Sequence, residues 1–424
     1  MRDLTLNRYI DVNVVNKRLH TDPTNTPESP LAAKKEARCV LCGVCLEVCP
    51  LFKATGREEL SPRAKLFLLE RLAENPESLS DRAASKLAGL CLCCGRCEEA
   101  CPHGLSALKA VSRTRASHPD FSTRLWKTLM QKANVLMPAA AFTGAALSGL
   151  KVPGLPGKTP GVFLDKLKAL GKKEIKPWLA VKDFDARGNG ERAVVFPGCV
   201  ASYARTEWTL KANALLAGLG FEVCESPNFA CCGLTLDHAG LAKQTLALRK
   251  QNLEAWRSAG RPLVITFCAS CQKGLLDLAN DPGLEFAPGE REEWTAAIRP
   301  LSGLFGKTRF EVQKHAPKGV HYHRPCHAPG VDTDGDWLEK TVGKKLIKRS
   351  EKECCGLGGV LQLSAPELSK TVANACWDFF SPEQGTHLVT GCGGCVLQLA
   401  ATNPKGVQVG HWLEIVDWSL LFHF

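Results

Sequence analysis

Cys39-Val-Leu-Cys42-Gly-Val-Cys45-Leu-Glu-Val-Cys49-Pro50 and Cys91-Leu-Cys-Cys94-Gly-Arg-Cys97-Glu-Glu-Ala-Cys101-Pro102 are two copies of one pattern, C-x2-C-x2-C-x3-C-P. Three cysteines two residues apart wrap one corner of an iron–sulfur cube. The fourth, before proline, cannot reach the same cube and crosses to the other one. The pattern therefore predicts one [4Fe–4S] cluster on Cys39, Cys42, Cys45 and Cys101, and a second on Cys91, Cys94, Cys97 and Cys49. Gly43 and Gly95 allow the backbone to approach the sulfides. Zinc uses four ligands in C-x2-C pairs and explains neither the triplets nor the Cys-Pro ends. Cys93 lies inside the second run but out of register, and reads as a spare thiol.

The chain has 424 residues, 45% hydrophobic and 23% charged, ordinary values for a globular protein. Its 21 cysteines are not ordinary. Disulfide frameworks of that density belong to short secreted chains, whereas Met1 to Asn16 is polar and shows no apolar signal segment. Metal thiolate in a reducing, cytoplasmic setting is the expectation. The formal charge of +11 counts every thiol as neutral, so thiolate clusters would absorb part of it. The basic residues are scattered (Lys34 and Lys35, Lys172 and Lys173, Lys344 to Arg349) rather than interleaved with aromatics, which argues against nucleic acid.

The fold class expected is α+β and multidomain: a helical two-cluster ferredoxin-type domain followed by a duplicated α/β unit with two pseudo-symmetric lobes. The boundaries read as a polar arm over 1–37, the cluster domain over 38–120, a linker or helical segment over 121–190, and lobes over 191–317 and 318–424. Helical periodicity is plain in Arg63-Ala-Lys-Leu-Phe-Leu-Leu-Glu-Arg-Leu72. The 16-residue uncharged stretch Val135 to Leu150, broken by Pro138, Gly144 and Gly149, is too short for a membrane span. It reads as a buried helical hairpin or linker, with an interfacial membrane foot as the alternative.

The C-terminal region repeats itself. Ala193-Val-Val-Phe196 leads to Cys199, then Cys231-Cys232-Gly233, then Val264-Ile-Thr-Phe267 and Cys268-Ala-Ser-Cys271. Val320-His-Tyr-His323 leads to Cys326, then Cys354-Cys355-Gly356, then Leu388-Val-Thr390 and Cys392-Gly-Gly-Cys395. Equivalent cysteines are offset by 127, 123 and 124 residues. Each unit thus offers five soft thiolates: Cys199, Cys231, Cys232, Cys268 and Cys271 in the first, Cys326, Cys354, Cys355, Cys392 and Cys395 in the second. They suit iron–sulfur or zinc, and four of them follow β runs, at strand ends where open α/β sheets place ligands. Cys224 and Cys376 remain over and read as buried core. His321 reads as a sheet-edge residue; His323 and His327 are open between that and tuning of the neighbouring centre.

Two ferredoxin-type runs followed by two CCG units resemble the glycolate oxidase iron–sulfur subunit. The layout is also similar to the anaerobic glycerol-3-phosphate dehydrogenase C-type component, the lactate-utilisation iron–sulfur protein and the D-type component of heterodisulfide reductase. The resemblance covers residues 38 to 420 and includes Glu59-Leu-Ser-Pro-Arg63 and His411-Trp-Leu-Glu-Ile-Val416. It implies one or two further, noncubane [4Fe–4S] clusters in the CCG units. It also implies electron transfer from an FAD-containing partner that oxidises glycolate or D-lactate to a quinone or other acceptor. Peripheral association with the cytoplasmic face of the inner membrane goes with that reading, and disulfide cleavage at the CCG centres is its alternative. Gly188-Asn-Gly-Glu-Arg-Ala193 precedes a strand instead of following one, so no dinucleotide site is expected on this chain. No catalytic residue is assigned.

Overall fold

The computed structural model describes residues 38–75, 80–147, 159–172, 174–328, 330–347, 353–403 and 406–417. The polar arm expected over 1–37 lies outside them. From Cys39 onward the chain forms one compact unit, whose first part is helical throughout. Short helices Val44–Val48 and Arg96–Ala100 follow the cysteine turns, and longer ones, Pro62–Glu74, Asp81–Gly89 and Ala107–Ser117, pack around them. The starts are capped as the sequence dictates. Ser61 Oγ accepts the Ala64 amide at 3.1 Å with Pro62 in the first turn, and Ser106 Oγ accepts the Lys109 amide at 3.2 Å.

Among the described residues ten short strands follow: β1 Leu179–Asp183, β2 Arg192–Val195, β3 Glu222–Val223, β4 Leu263–Thr266, β5 Ile298–Pro300, β6 Arg309–Val312, β7 Val320–His323, β8 His387–Thr390, β9 Gln408–His411 and β10 Val416–Asp417. The first lobe is a parallel sheet in the order β3-β2-β4-β5. The second is a parallel sheet β7-β8-β9, and a parallel bridge from Val320 to Leu346 stands where β3 stands in the first. Both lobes therefore share one strand order, and β5 and β9 each run into a 3-10 turn, Leu301–Leu304 and Trp412–Ile415. The duplicated cysteine spacing is a duplicated sheet.

A third sheet ties the halves together. β1 lies between β10, which it meets in parallel (Leu179 opposite Val416), and β6, which it meets antiparallel (Leu179 opposite Val312). Beneath it a shared core takes residues from both lobes. Trp337 and Trp412 rings stand 5.0 Å apart, with Phe305 at 5.1 and 5.9 Å from them. Each lobe also has its own core, around Trp256 and Trp294 in the first and Trp377 and Phe380 in the second.

The segment 121–190 is helical rather than a loose linker up to β1. Helix Ala133–Leu147 pairs with helix Thr159–Leu170 so closely that a Cβ on Gly144 would stand 1.8 Å from the Leu167 carbonyl oxygen. The hairpin expected there is not buried. Val135 is 64% exposed and Phe142 80%, because only the glycine face of the helix meets its neighbour. Residues 148–150 lie outside the described part. Among the described residues no helix is long and apolar enough to cross a membrane.

Candidate metal centres

Two adjoining cavities open among the N-terminal helices. The first, about 410 Å³, is lined by Cys39, Cys42, Cys45, Cys97 and Cys101 with Arg63 and His103. The second, about 390 Å³, is lined by Cys49, Cys91, Cys93, Cys94 and Cys97 with Lys65. The structure thus gathers the first three cysteines of each run with the Cys-Pro cysteine of the other, and Cys97 forms a wall of both. Local geometry repeats as well. Leu41 and Cys93 hold the same left-handed turn (φ 58° and 53°), and Gly43 and Gly95 the next (φ 86° and 78°).

Superposing the two runs residue by residue exposes what differs. Val44 of the first is replaced by Arg96, and Leu41 by Cys93. Val44 and Leu41 are exposed, whereas Arg96 and Cys93 are buried. Cys93 is no idle thiol. Its S–H hydrogen-bonds Cys91, which with the nearby Lys65 and Arg115 cations brings the Cys91 thiol down to about 5. Arg115, 2% exposed, donates to the carbonyls of Ala88 (3.1 Å), Cys91 (3.2 Å) and His238 (2.7 Å) and to Cys93 Sγ (3.2 Å). Lys65, equally buried, donates to the Leu60 carbonyl. These buried cations had no signal in periodicity, since a charged residue on an amphipathic helix reads as its wet face; Arg96 alone was visible, as the odd residue when the two runs are aligned.

The ten CCG cysteines form one row of hydrogen-bonded thiols. Cys199 contacts Cys231, Cys232 contacts Cys271, and Cys271 contacts Cys268. Cys268 contacts Cys392 across the lobe boundary, Cys392 meets Cys395, Cys395 meets Cys355, and Cys354 meets Cys326. Cys231 and Cys354, equivalent positions, both lie well below the ordinary thiol value. The cause is the same in each: a thiol hydrogen bond from Cys199 or Cys326, then one from the adjacent Cys232 or Cys355. Their neighbours' glycine amides point at them, Gly233 N at 3.5 Å from Cys231 Sγ and Gly356 N at 3.4 Å from Cys354 Sγ. So many thiols buried side by side make a donor set that suits a soft metal.

Cys268 and Cys392 sit at the ends of β4 and β8, each capping the helix that carries the next cysteine, Ala269–Leu278 and Gly393–Ala401. The row continues into the N-terminal part. Buried Arg96 lies within electrostatic reach of Cys354, Cys94 and Cys326 together, and His327 Nε2 lies 3.1 Å from the Cys93 carbonyl. His323 is buried beside Cys355 and Cys395. Burial brings its ring down to about 4, so it is neutral at pH 7. His321, also buried, packs edge-on to Phe380 with ring centres 5.8 Å apart, and His323 lies 6.2 Å from the same ring. Of the remaining cysteines, Cys376 is core, as expected, but Cys224 is only half-buried because β3 ends at the edge of its sheet. Ser270, between two cysteines, was not singled out from sequence; its hydroxyl lies 3.2 Å from Cys392 Sγ of the other lobe.

Comparison with known proteins finds the same two kinds of domain. A 4Fe-4S dicluster domain matches residues 36–105, and a cysteine-rich (CCG) domain matches 193–275 and 320–400. The glycolate oxidase iron-sulfur subunit of Escherichia coli is 24% identical over 401 residues, covering 90% of this chain and 93% of that one. The probable glycolate oxidase iron-sulfur subunit of Bacillus subtilis is 25% identical, covering 85% and 87%. A component of the dihydromethanophenazine:CoB–CoM heterodisulfide reductase of Methanosarcina acetivorans is 26% identical, covering 80% and 81%. With the cysteine cavities, the duplicated sheets and these matches together, the chain belongs to the iron–sulfur oxidoreductase family that joins a 4Fe-4S dicluster domain to paired CCG domains.

Proposed function

We propose that this chain is the electron-transfer subunit of a flavin-dependent 2-hydroxyacid dehydrogenase, taking electrons from an FAD-containing partner that oxidises glycolate or D-lactate. In this reading Cys39, Cys42, Cys45 and Cys101 hold one [4Fe–4S] cluster and Cys49, Cys91, Cys94 and Cys97 the other. The five cysteines of each CCG unit hold a further one. Bound clusters supply one-electron carriers, which thiols and peptide cannot. The protein's own part is to line them up, bury them and set their charge. Lys65, Arg96 and Arg115 offset thiolate charge, glycine amides aim at thiol sulfurs, and the surrounding core keeps water away.

The observation that carries the reading is the unbroken row of thiols from Cys199 to Cys326, continued through Arg96 to Cys94. The substrate class comes from the relatives. A quinone acceptor at the cytoplasmic face of the inner membrane is consistent with the exposed apolar helix Ala133–Leu147 beside Arg124, Lys127 and Lys132. Deleting the chain should abolish acceptor-linked oxidation of both hydroxy acids while the isolated flavoprotein still reduces its flavin. Oxidation at the wild-type rate in the deletion would overturn the proposal.

A second reading has one observation in its favour. Both CCG units are complete, and their cysteines meet at Cys268 and Cys392, as reductive cleavage of a disulfide would require. The heterodisulfide reductase relatives point the same way. Such an enzyme should reduce a disulfide with a viologen donor and no flavoprotein present.

A further inference from the structure

The two CCG units differ at a strand position that lies beside the thiols of the second. Phe196 and His323 are equivalents, each three residues before the first cysteine of its unit and each 1% exposed. Phe196 packs on Phe229 with ring centres 5.3 Å apart. His323 instead turns an imidazole nitrogen toward the cysteines: it and the Sγ atoms of Cys355 and Cys395 all lie within 4.8 Å of one another. Among the described residues no other trio of His, Cys, Asp or Glu is brought so close.

The other face of the ring is already fixed. Nδ1 lies 3.2 Å from Thr390 Oγ1 on the neighbouring strand β8. In the first lobe the equivalent Thr266 bonds the Arg299 carbonyl instead, so this use of the threonine belongs to the second unit. In the tautomer whose Nδ1–H donates to the threonine hydroxyl, the free lone pair is on Nε2. The Glu353 backbone approaches the ring closely enough to act on its charge, but Nε2 makes no hydrogen bond of ordinary length and angle. A buried polar nitrogen left without a partner is costly and needs an explanation. A nitrogen aimed at two thiols, with its opposite nitrogen oriented by a hydroxyl, has the arrangement of a metal-binding histidine.

We propose that His323 is a nitrogen ligand, through Nε2, to the iron–sulfur centre held by Cys355 and Cys395. The second CCG centre is then mixed imidazole and thiolate, while the first is thiolate alone. This rests on the reading that the second CCG unit holds iron. A neutral imidazole brings less negative charge than a thiolate, and exchange of cysteine for histidine raises an iron–sulfur potential. His323 stands where the first lobe has Phe196 and replaces no cysteine, so the two centres, built from one duplicated fold, differ by one added nitrogen donor.

The test uses whole protein purified anaerobically from cells fed 15N-histidine. Pulsed electron paramagnetic resonance is recorded on the signal assigned to the second unit by its loss in Cys395→Ser. The expected result is a strong nitrogen coupling that changes with the isotope and disappears in His323→Phe, which copies the first lobe. His323→Cys should keep the iron and lower the midpoint potential of that signal. Iron in the second unit with no histidine coupling in the wild-type protein would overturn the ligand assignment and leave the cluster reading intact. Iron sufficient only for the two N-terminal clusters, or stoichiometric zinc at Cys355 and Cys395, would overturn both. The isotope measurement needs no variant, so a poorly folding His323→Phe does not blunt it.

Discussion

Cys268 and Cys392, equivalent residues of the two lobes, hydrogen-bond thiol to thiol across the lobe boundary. The contact is braced on both sides. The Ala269 amide donates to the Gly391 carbonyl at 2.8 Å, and Ser270 Oγ of the first lobe lies 3.2 Å from Cys392 Sγ of the second. Duplication has therefore brought like residues to the dyad, where the two five-cysteine sets become one. Ser270→Ala removes only the bracing hydroxyl. The expected outcome is unchanged iron content with a shifted potential for the second-unit signal, measured by redox titration; a shift confined to the first unit would contradict the geometry.

Gly198 tests the first unit by sterics alone. It has φ of 69°, and a Cβ there would lie 2.5 Å from Cys271 Sγ. Gly198→Ala should therefore drive Cys271 out of place. Iron per chain is expected to fall by about four, while the two N-terminal clusters persist.

Arg115 binds four acceptors, two of them in the second cysteine run. Arg115→Gln leaves buried acceptors unmatched at about 1–3 kcal/mol each, so the melting temperature should drop. Loss of the positive charge should also make the neighbouring cluster harder to reduce, with a smaller change at the other. Arg115→Lys should restore most of the potential but not the stability, which separates charge from hydrogen bonding.

Asp334 sits at the start of helix Thr333–Val342, its carboxylate packed against Gly391 beside Cys392. Burial raises it to about 7, with like charge from Asp332 adding to the shift. A folded-state value above the unfolded one means that the fold holds the proton. Its contribution is full below about pH 4 and is lost as pH rises through about 7. At about 1.4 kcal/mol per pH unit the swing is on the order of 4 kcal/mol. Denaturation between pH 5.5 and 8 should show wild type losing stability as pH rises, and Asp334→Asn should flatten that slope.

Trp294 is fully buried in the first lobe, its ring edge-on to Trp256 at 5.2 Å and its Nε1 donating to the Leu275 carbonyl at 2.9 Å. Trp294→Ala should cost about 3–5 kcal/mol, measured by chemical denaturation. Iron incorporation in the second lobe should stay normal in this variant.

Features set by local spacing were legible in the sequence, and features set by long-range packing were not. Cys39 to Cys49 and Cys91 to Cys101 were legible because a cube and a backbone turn set the spacing locally. The duplicated lobes were legible because Cys199 and Cys326, Cys231 and Cys354, Cys268 and Cys392 keep their order and offsets. The third sheet was not. It joins Leu179 to Val416 through strands of five and two residues, too short to carry a period of their own. Nor was the open face of Ala133–Leu147, since an uncharged helix has the same composition whether buried or exposed. Lys65 and Arg115 were missed because their burial is decided by acceptors contributed from distant turns. The row of ten thiols followed the same logic: each unit was visible in sequence, but the contact between Cys268 and Cys392 exists only once two sheets have packed.

The central claim is that both CCG units carry iron in line with the two N-terminal clusters. Iron and acid-labile sulfide per chain, on anaerobically purified protein, test it most directly. About sixteen of each is the expected result. About eight, with the CCG cysteines titrating as free thiols or holding zinc, would contradict it.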